Sequence, residues 1–160
     1  MELGANSYDI TVERGALQRA DKLLKLDRKV LIVTDEGVPF KYSDKIASFC
    51  KEPYVVTLPR GEQNKCMATY MQLLEKMVEE KFTRSDCVVA VGGGVMGDLA
   101  GFVAASYMRG VDFYNVPTTL LSQIDSSIGG KVAVDFAGYK NLVGAFYQPK
   151  AVLIDPDVLS

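Results

Sequence analysis

The sequence contains no histidine in its 160 residues. The chain therefore has no imidazole to act as a general base near neutral pH or to bind a metal ion through nitrogen. Such chemistry must use Lys, Asp, Glu, Tyr or Cys, or must come from outside the chain.

Cysteine is also scarce, with Cys50, Cys66 and Cys87 as the three examples. Their number is odd, their spacings are wide, and no CxxC pair occurs. This pattern argues against a disulfide framework and predicts free thiols, as expected in a reducing cytoplasm.

Strong charge and long apolar runs are missing as well. The 18 basic and 20 acidic residues give a net charge of −2, which provides no basic field for nucleic acid. Apolar runs such as residues 87–91 are far shorter than the roughly 20 residues of a membrane span. The N-terminus has neither the basic nor the apolar part of a secretory signal. We expect a cytoplasmic protein with no membrane or nucleic-acid partner.

Short apolar runs alternate with segments of helical period. The pattern predicts strands at residues 8–13, 29–34, 53–58, 87–91, 113–116 and 151–155, and helices at 16–25, 38–51, 65–81 and 95–107. Strands that are apolar on both faces and joined by helices are typical of a parallel sheet covered on both sides. We therefore expect one α/β domain over residues 1–160, a Rossmann-like layered domain with a mainly parallel sheet. Residues 132–134 are expected to form one arm of a hairpin turning near Ala137.

A glycine-rich turn follows the strand at 87–91 and precedes a helix. Gly92, Gly94 and Gly97 match G-x-G-x-x-G, and such a turn lets backbone N–H groups approach a pyrophosphate. The alternative is a tight, closely packed turn without a ligand. The next strand ends at Pro117 without the ribose-binding acid of an ordinary dinucleotide site. Asp35 and Glu62, which both follow apolar strands, are the candidates to replace it.

Several polar residues after this turn have both a structural and a functional interpretation. Asp98, expected in the first turn of the helix, suits either the helix dipole or a ligand. Arg109 suits either the helix C-terminus or an anion. The hydroxyls of Thr118 and Thr119 could cap a helix or bind a ligand. The small residues Ala100, Gly101, Ala104 and Ala105 predict close packing of the helix.

Two lysines mark a candidate anion site. Lys131 follows Gly129 and Gly130, and Lys140 and Asn141 lie nine residues later. A hairpin over this segment is expected to bring Lys131 and Lys140 together, which would favour an anion between them. The alternative is that both are solvated surface lysines.

The joined runs GGGVMGDLAGFVAASYMRG and PTTLLSQIDSSIGGKVAVDFAGYKNLVGAFYQP resemble the 3-dehydroquinate synthase family, as do LIVTDEGV and LPRGEQNK upstream. The resemblance extends from about Asp35 to the end of the chain. Related polyol dehydrogenases share the fold and a glycine loop, but not DSSIGGK followed by KN.

The resemblance implies an enzyme of the shikimate pathway. The family converts a phosphorylated keto acid, 3-deoxy-D-arabino-heptulosonate 7-phosphate, to 3-dehydroquinate and phosphate. NAD oxidises a substrate hydroxyl and later returns the hydride, so no net cofactor is consumed. A divalent metal, zinc or cobalt, acts as a Lewis acid. Members usually form homodimers through this domain.

The resemblance also implies residue roles. The adenosine part of NAD is expected near Asp35, Glu62 and Lys65. The pyrophosphate and ribose are expected at Gly93, Gly94, Val95 and Asp98, with Thr118, Thr119 and Lys140 completing the cofactor site. Substrate is expected at Arg109, Asp125, Lys131 and Asn141, with Arg109 offered across a dimer interface. Gly37 stands where the family often has Asn, so one side-chain contact to the cofactor is missing.

The family's metal ligands, one Glu and two His, lie in a helical C-terminal domain, and this chain ends at Ser160 without histidine. We therefore expect an NAD-binding domain that lacks the metal-binding domain and is inactive by itself. Two alternatives remain: the NAD-binding domain of a polyol (glycerol-type) dehydrogenase, and a nucleotide-binding module without catalysis.

Overall fold

The computed structural model describes residues 2–159 and shows a six-stranded parallel sheet beside a two-stranded antiparallel hairpin. The sheet has the strand order β1-β8-β5-β4-β2-β3, and the hairpin pairs β6 with β7. The strands are β1 (Asp9–Val12), β2 (Lys29–Asp35), β3 (Glu52–Leu58), β4 (Cys87–Gly92), β5 (Asp112–Pro117), β6 (Lys131–Phe136), β7 (Tyr139–Phe146) and β8 (Ala151–Ile154). The α-helices are α1 (Ala20–Leu23), α2 (Phe40–Ser48), α3 (Met67–Glu79) and α4 (Gly94–Ser106).

The central strand explains why the sheet is covered on both faces. All six residues of β4 are buried, so its alternate side chains enter two different cores. One core joins Val89 and Val91 to Ile46 of α2. The other joins Val88 to Leu73 of α3 and Leu99 of α4. The predicted α/β layered fold is therefore confirmed.

The segment predicted as a helix at residues 16–25 is helical over residues 16–23, but only its second half is α-helical. A 3-10 turn over Ala16–Arg19 leads into α1, which is a single α-helical turn. The carboxylate of Asp155 explains the tight start, since it accepts hydrogen bonds from the N–H groups of Gly15 and Leu17 at 3.0 Å each. Leu24 is already extended, with φ −125° and ψ 146°, and ends the segment.

The hairpin packs on α4, at the small residues of that helix. Val132 and Val134 of β6 are buried in the same core as Leu99. Gly101 makes this approach possible, because a Cβ at that position would overlap Val132 Cγ1 and lie 3.1 Å from Phe113 Cε1. The hairpin is thereby fixed beside the helix that follows the glycine turn.

The carboxyl ends of the parallel strands meet at one edge of the sheet. β2 ends at Asp35 and β4 ends at Gly92, which is in register with Pro117 of β5. Loops at this edge form the usual ligand sites of open α/β sheets. Over residues 2–159, no helix is long and apolar enough to cross a bilayer.

Candidate cofactor and substrate site

The turn Gly92-Gly93-Gly94 leads from β4 directly into α4. Gly93 is the N-cap, and no side chain caps the helix. The first-turn N–H groups of a helix lack intrahelical partners, so this uncapped end suits a phosphate.

Space, rather than backbone curvature, explains the glycines that face the cleft. Gly93 has φ −82°, and Gly92 and Gly94 also lie outside the left-handed region. A Cβ on Gly94 would lie 3.0 Å from Ser126 Oγ, and one on Gly93 would lie 3.3 Å from Thr119 Cγ2. Side chains at these positions would narrow the open space in front of the N-terminus of α4.

The other two glycines of the pattern have packing roles. A Cβ on Gly92 would lie 2.6 Å from Met96 Cγ, and one on Gly97 would lie 2.9 Å from Asn115 Nδ2. The closely packed turn therefore explains Gly92 and Gly97, whereas the phosphate interpretation stays a prediction for Gly94.

A cleft of about 380 Å³ opens in front of this turn. It brings together six of the residues predicted for the cofactor site, namely Asp35, Gly93, Gly94, Val95, Thr118 and Thr119. Asp35 is fixed at its edge, because its Oδ1 accepts a hydrogen bond from Gly37 N at 2.7 Å. The second carboxylate oxygen can still accept a hydrogen bond from a ligand hydroxyl.

The two threonines are held in different ways. Thr118 N donates to the carbonyl of Gly92 at 2.9 Å, which ties β5 to the glycine turn. Thr119 Oγ1 accepts from Ser122 N at 3.2 Å and lies 2.8 Å from Ser122 Oγ. Thr119 thus caps the helical segment that leads to the π-helix Ser122–Ser126, while its methyl group faces Gly93.

A second group of predicted residues is centred on Lys65. The Lys65 side chain is 5% exposed, and its Nζ lies 2.6 Å from Asp98 Oδ2. The same ammonium donates to Asn141 Oδ1 at 2.5 Å and lies 3.9 Å from Glu62 Oε1. Burial raises the pKa of Asp98, and the nearby Lys65 ammonium partly opposes that shift.

Glu62 faces the hairpin rather than the glycine turn. Burial raises the pKa of Glu62, and a hydrogen bond with Asp135 adds to the rise. The pKa of Asp135 is lowered, chiefly because its Oδ1 accepts the N–H of Asn141 at 2.8 Å. Lys140 contributes a favourable charge to both carboxyls. Neither Glu62 nor Lys65 lines the cleft that contains Asp35.

Asp98 is not in the first turn of α4. The helix begins at Gly94, so Asp98 lies in its second turn and pairs with Lys65 instead of capping the helix. The expected place of Asp98 in the first turn, and with it the helix-dipole alternative, is wrong because the helix already begins at Gly94.

The two lysines of the hairpin do not meet. Lys131 lies opposite Phe146, at the open end, whereas Lys140 lies beside the closing pair Phe136 and Tyr139. About four residues along the strand, or roughly 13 Å, separate the two positions. The hairpin is confirmed, and the proximity of Lys131 and Lys140 is wrong.

Lys131 borders a second cavity of about 430 Å³ between α4 and the hairpin. Asp98 and Asn141 line the same cavity, together with other residues of β6 and β7. Lys131 is exposed, and Asn141 adopts a left-handed φ of 54°. An ammonium and an amide beside a buried carboxylate can bind a polar anion that also carries hydroxyl groups.

Arg109 and Asp125 line neither of these two cavities. Arg109 follows α4, whose 13 residues separate it from the glycine turn by roughly 20 Å. The α-helix itself ends at Ser106, and Arg109 ends the 3-10 turn Tyr107–Arg109 that follows it, with Gly110 behind as expected and with φ 65°. Asp125 is exposed on the π-helix. In a single chain, Arg109 therefore lies at the opposite edge of the sheet from the cleft.

Sequence reasoning missed several residues in and beside the cleft. Arg60 and Tyr42 line it, and the buried Ser126 Oγ, which has no hydrogen-bond partner, faces Gly94. The position of Arg60 two residues after β3 could have been noticed, because loops after strands form this edge. Tyr42 and Ser126 carry no comparable signal. Over residues 2–159, no cluster of three or more His, Cys, Asp or Glu side chains could hold a metal ion.

Comparison with known proteins agrees with this architecture. A family model described as 3-dehydroquinate synthase N-terminal matches residues 55–160. The 3-dehydroquinate synthase of Clostridium acetobutylicum is 46% identical over 164 residues, which cover 98% of this chain and 46% of that protein. The chain thus spans about half the length of the curated relatives it matches.

Solved structures share the fold over nearly the whole chain. ValA, a 2-epi-5-epi-valiolone synthase from Streptomyces hygroscopicus subsp. jinggangensis with NAD+ and Zn2+ bound, superposes with a TM-score of 0.85 at 31% identity, covering 99% of this chain and 45% of that one. A 2-deoxy-scyllo-inosose synthase complexed with carbaglucose-6-phosphate, NAD+ and Co2+ gives a TM-score of 0.86 at 29% identity, covering 95% and 44%. With its family-model match, its curated relative and the shared fold, this chain belongs to the 3-dehydroquinate synthase family.

Proposed function

We propose that this chain is the NAD-binding part of a 3-dehydroquinate synthase. One observation carries the proposal: the uncapped start of α4 opens into the same cleft as Asp35, Thr118 and Thr119. The helix start would bind the pyrophosphate, and Asp35 would accept hydrogen bonds from ribose hydroxyls. NAD is also bound in the two synthases of shared fold.

The cavity beside the hairpin is the proposed site of the phosphorylated keto acid. Lys131 would contact its anionic groups, and Asn141 would bind a hydroxyl or phosphate oxygen. Lys65 contacts both Asp98 of α4 and Asn141 of the hairpin, and would thereby position the two sides of this cavity. NAD supplies the hydride transfer, whereas these residues bind and orient the substrate.

Two proposed contributions lie outside a single copy of the chain. Arg109 would reach a substrate only from a second copy, which supports a homodimer with shared sites. The described residues do not provide a metal cluster, so the divalent metal would be held by residues beyond these 160.

Isothermal titration calorimetry with NAD tests the cofactor site. We expect saturable binding by the wild-type chain and its loss in Gly94→Val, because the isopropyl group would fill the space between the helix start and Ser126. Ala68→Val, an exposed position on α3, is the matched control and should bind as wild type. Equal affinity in wild type and Gly94→Val would overturn the site.

The inactivity of the isolated chain can be tested separately. We expect these 160 residues alone to release no phosphate from the heptulosonate phosphate with NAD, because within residues 2–159 no side-chain cluster could hold the divalent metal. We also expect no net NADH formation from glycerol, which a polyol dehydrogenase would show. Release of phosphate above the blank would contradict the first expectation, and NADH formation would favour the dehydrogenase.

A further inference from the structure

Arg60 is a cation at the opening of the cleft. It follows β3 directly after Pro59, is exposed, and lines the cleft together with Asp35 and the glycine turn. Its carbonyl oxygen accepts hydrogen bonds from Gln63 Nε2 and Asn64 Nδ2. Within residues 2–159, its guanidinium forms neither a hydrogen bond nor an ion pair.

Gly37 provides the space that this guanidinium occupies. A Cβ on Gly37 would lie 2.9 Å from both Cζ and Nη2 of Arg60. Gly37 does not have a left-handed φ, so its backbone conformation is open to any residue. Its N–H supports the carboxylate of Asp35, and therefore the guanidinium lies over the turn that presents this acid.

The order of the strands shows which part of a dinucleotide would reach Arg60. Along the edge of the sheet, the glycine turn after β4 is followed by Asp35 of β2 and then by the end of β3, where Leu58 is in register with Asp35. Neighbouring strands lie about 4.8 Å apart. With its pyrophosphate on α4 and its ribose on Asp35, a dinucleotide would place its base at the end of β3.

We propose that Arg60 closes the adenine end of the cleft by stacking its guanidinium on the purine, in the space that Gly37 leaves free. The proposal rests on the proposed function, since it presupposes a dinucleotide in this cleft. Gly37 and Arg60 then form a reciprocal pair: the absent side chain at position 37 permits the stacking group at position 60.

The chemistry favours a purine over a 2′-phosphate as the partner of Arg60. A phosphate on the ribose would lie next to the carboxylate of Asp35 in this cleft, and the two negative charges would repel each other. A planar guanidinium stacks well on an aromatic face and is more weakly hydrated than an ammonium. A neutral adenine next to a ribose with free hydroxyls satisfies both residues.

Calorimetric titration of NAD, ADP-ribose and nicotinamide mononucleotide into the wild-type chain and three variants tests the stacking role. Arg60→Ala should weaken NAD and ADP-ribose by about 5- to 10-fold and leave the mononucleotide, which lacks adenine, unchanged. Arg60→Lys should recover little of this loss, because the ammonium lacks a planar face. The control Arg84→Ala removes an exposed arginine that precedes β4 at the opposite edge, and it should bind as wild type.

A double-mutant cycle tests the pair. Gly37→Ala, which adds a Cβ against the guanidinium and no polar group, should weaken NAD binding in the wild-type background by displacing the guanidinium, and should have little further effect in Arg60→Ala. Thermal unfolding of each variant confirms that the fold is intact. Additive effects of the two substitutions would contradict the reciprocal arrangement.

Other outcomes would overturn the proposal in distinguishable ways. Wild-type NAD affinity in Arg60→Ala would refute the stacking role alone, whereas absence of NAD binding by the wild-type chain would refute the cofactor site as well. A loss in Arg60→Ala that disappears in about 0.5 M salt would indicate an ionic contact with phosphate instead. Tighter wild-type binding of NADP than of NAD, lost in Arg60→Ala, would identify a 2′-phosphate site.

Discussion

Lys65 Nζ lies 2.6 Å from Asp98 Oδ2 and 2.5 Å from Asn141 Oδ1, so one buried ammonium joins three separate segments. Lys65 comes from the loop after β3, Asp98 from α4 and Asn141 from the hairpin. The family resemblance assigns the first two to the cofactor and the third to the substrate. Through Lys65, the proposed cofactor side and the proposed substrate side of the active site are therefore linked by direct polar contacts.

Replacing Lys65 should lower the free energy of unfolding, because Asp98 is largely buried beside it. In Lys65→Met, Asp98 would lose its counter-ion in a largely buried place, and we expect the free energy of unfolding to fall by about 3 kcal/mol. Urea denaturation followed by circular dichroism measures this change. Lys76→Met, which removes an exposed pair with Glu80, is the control and should cost no more than about 0.5 kcal/mol. Equal small losses in both variants would show that the buried pair adds nothing.

Asp35 should matter for cofactor affinity and its neighbour should not. Asp35→Ala removes a charged acceptor for ribose hydroxyls, and we expect NAD affinity to fall by about 10- to 100-fold. Glu36→Ala, an adjacent exposed acid that does not line the cleft, should change the affinity little. Calorimetry of both variants provides the comparison, and similar affinities for the two would remove Asp35 from the site.

A methyl group at Gly101 should loosen the hairpin. Gly101→Ala places a Cβ against Val132 Cγ1 and Phe113 Cε1, and the overpacking should exceed the gain in helix propensity. We expect a net loss of about 1 to 2 kcal/mol in unfolding free energy. Hydrogen exchange should accelerate in β6 but not in β1. Uniform acceleration in both strands would argue against a local effect.

The three thiols should differ in their reaction with iodoacetamide. The pKa of Cys66 is lowered, first by its hydrogen bond with Thr69, whereas burial raises the pKa of Cys50 and Cys87 to about 12 each. Because the thiolate reacts, labelling of Cys66 should reach its plateau at lower pH than that of a free cysteine. Cys50 and Cys87 should stay unlabelled in the folded chain near pH 8. Mass spectrometry of peptides resolves the sites, and equal labelling of all three would contradict the order.

The sheet was predictable because its strands carry a simple signal. The run CVVAV is apolar at every position, which is typical of a strand covered on both faces of its sheet. All residues of β4 are buried, which confirms this prediction. The segment at residues 16–25 was less predictable, because its form depends on Asp155, some 138 residues away in sequence from Leu17. A local pattern carries no information on such a contact.

The structure brings together some of the residues expected for the cofactor site and separates others. Six residues expected for the cofactor share the cleft, since strand ends meet at one edge of a parallel sheet. The separation of Lys131 from Lys140 follows from the hairpin register, which depends on the turn at Ala137 and Gly138 and on the bulge between Val134 and Phe136. The fit of Arg60 over Gly37 depends on a rotamer, which sequence alone does not determine.

The glycine turn has a consequence for any later redesign of the cleft. Because its backbone angles suit every amino acid, a substitution at Gly94 changes the depth of the opening without bending the chain. Alanine, serine and valine at this one position would therefore reduce the opening by increasing amounts. The largest group that still admits the dinucleotide would measure the clearance between its phosphates and Ser126.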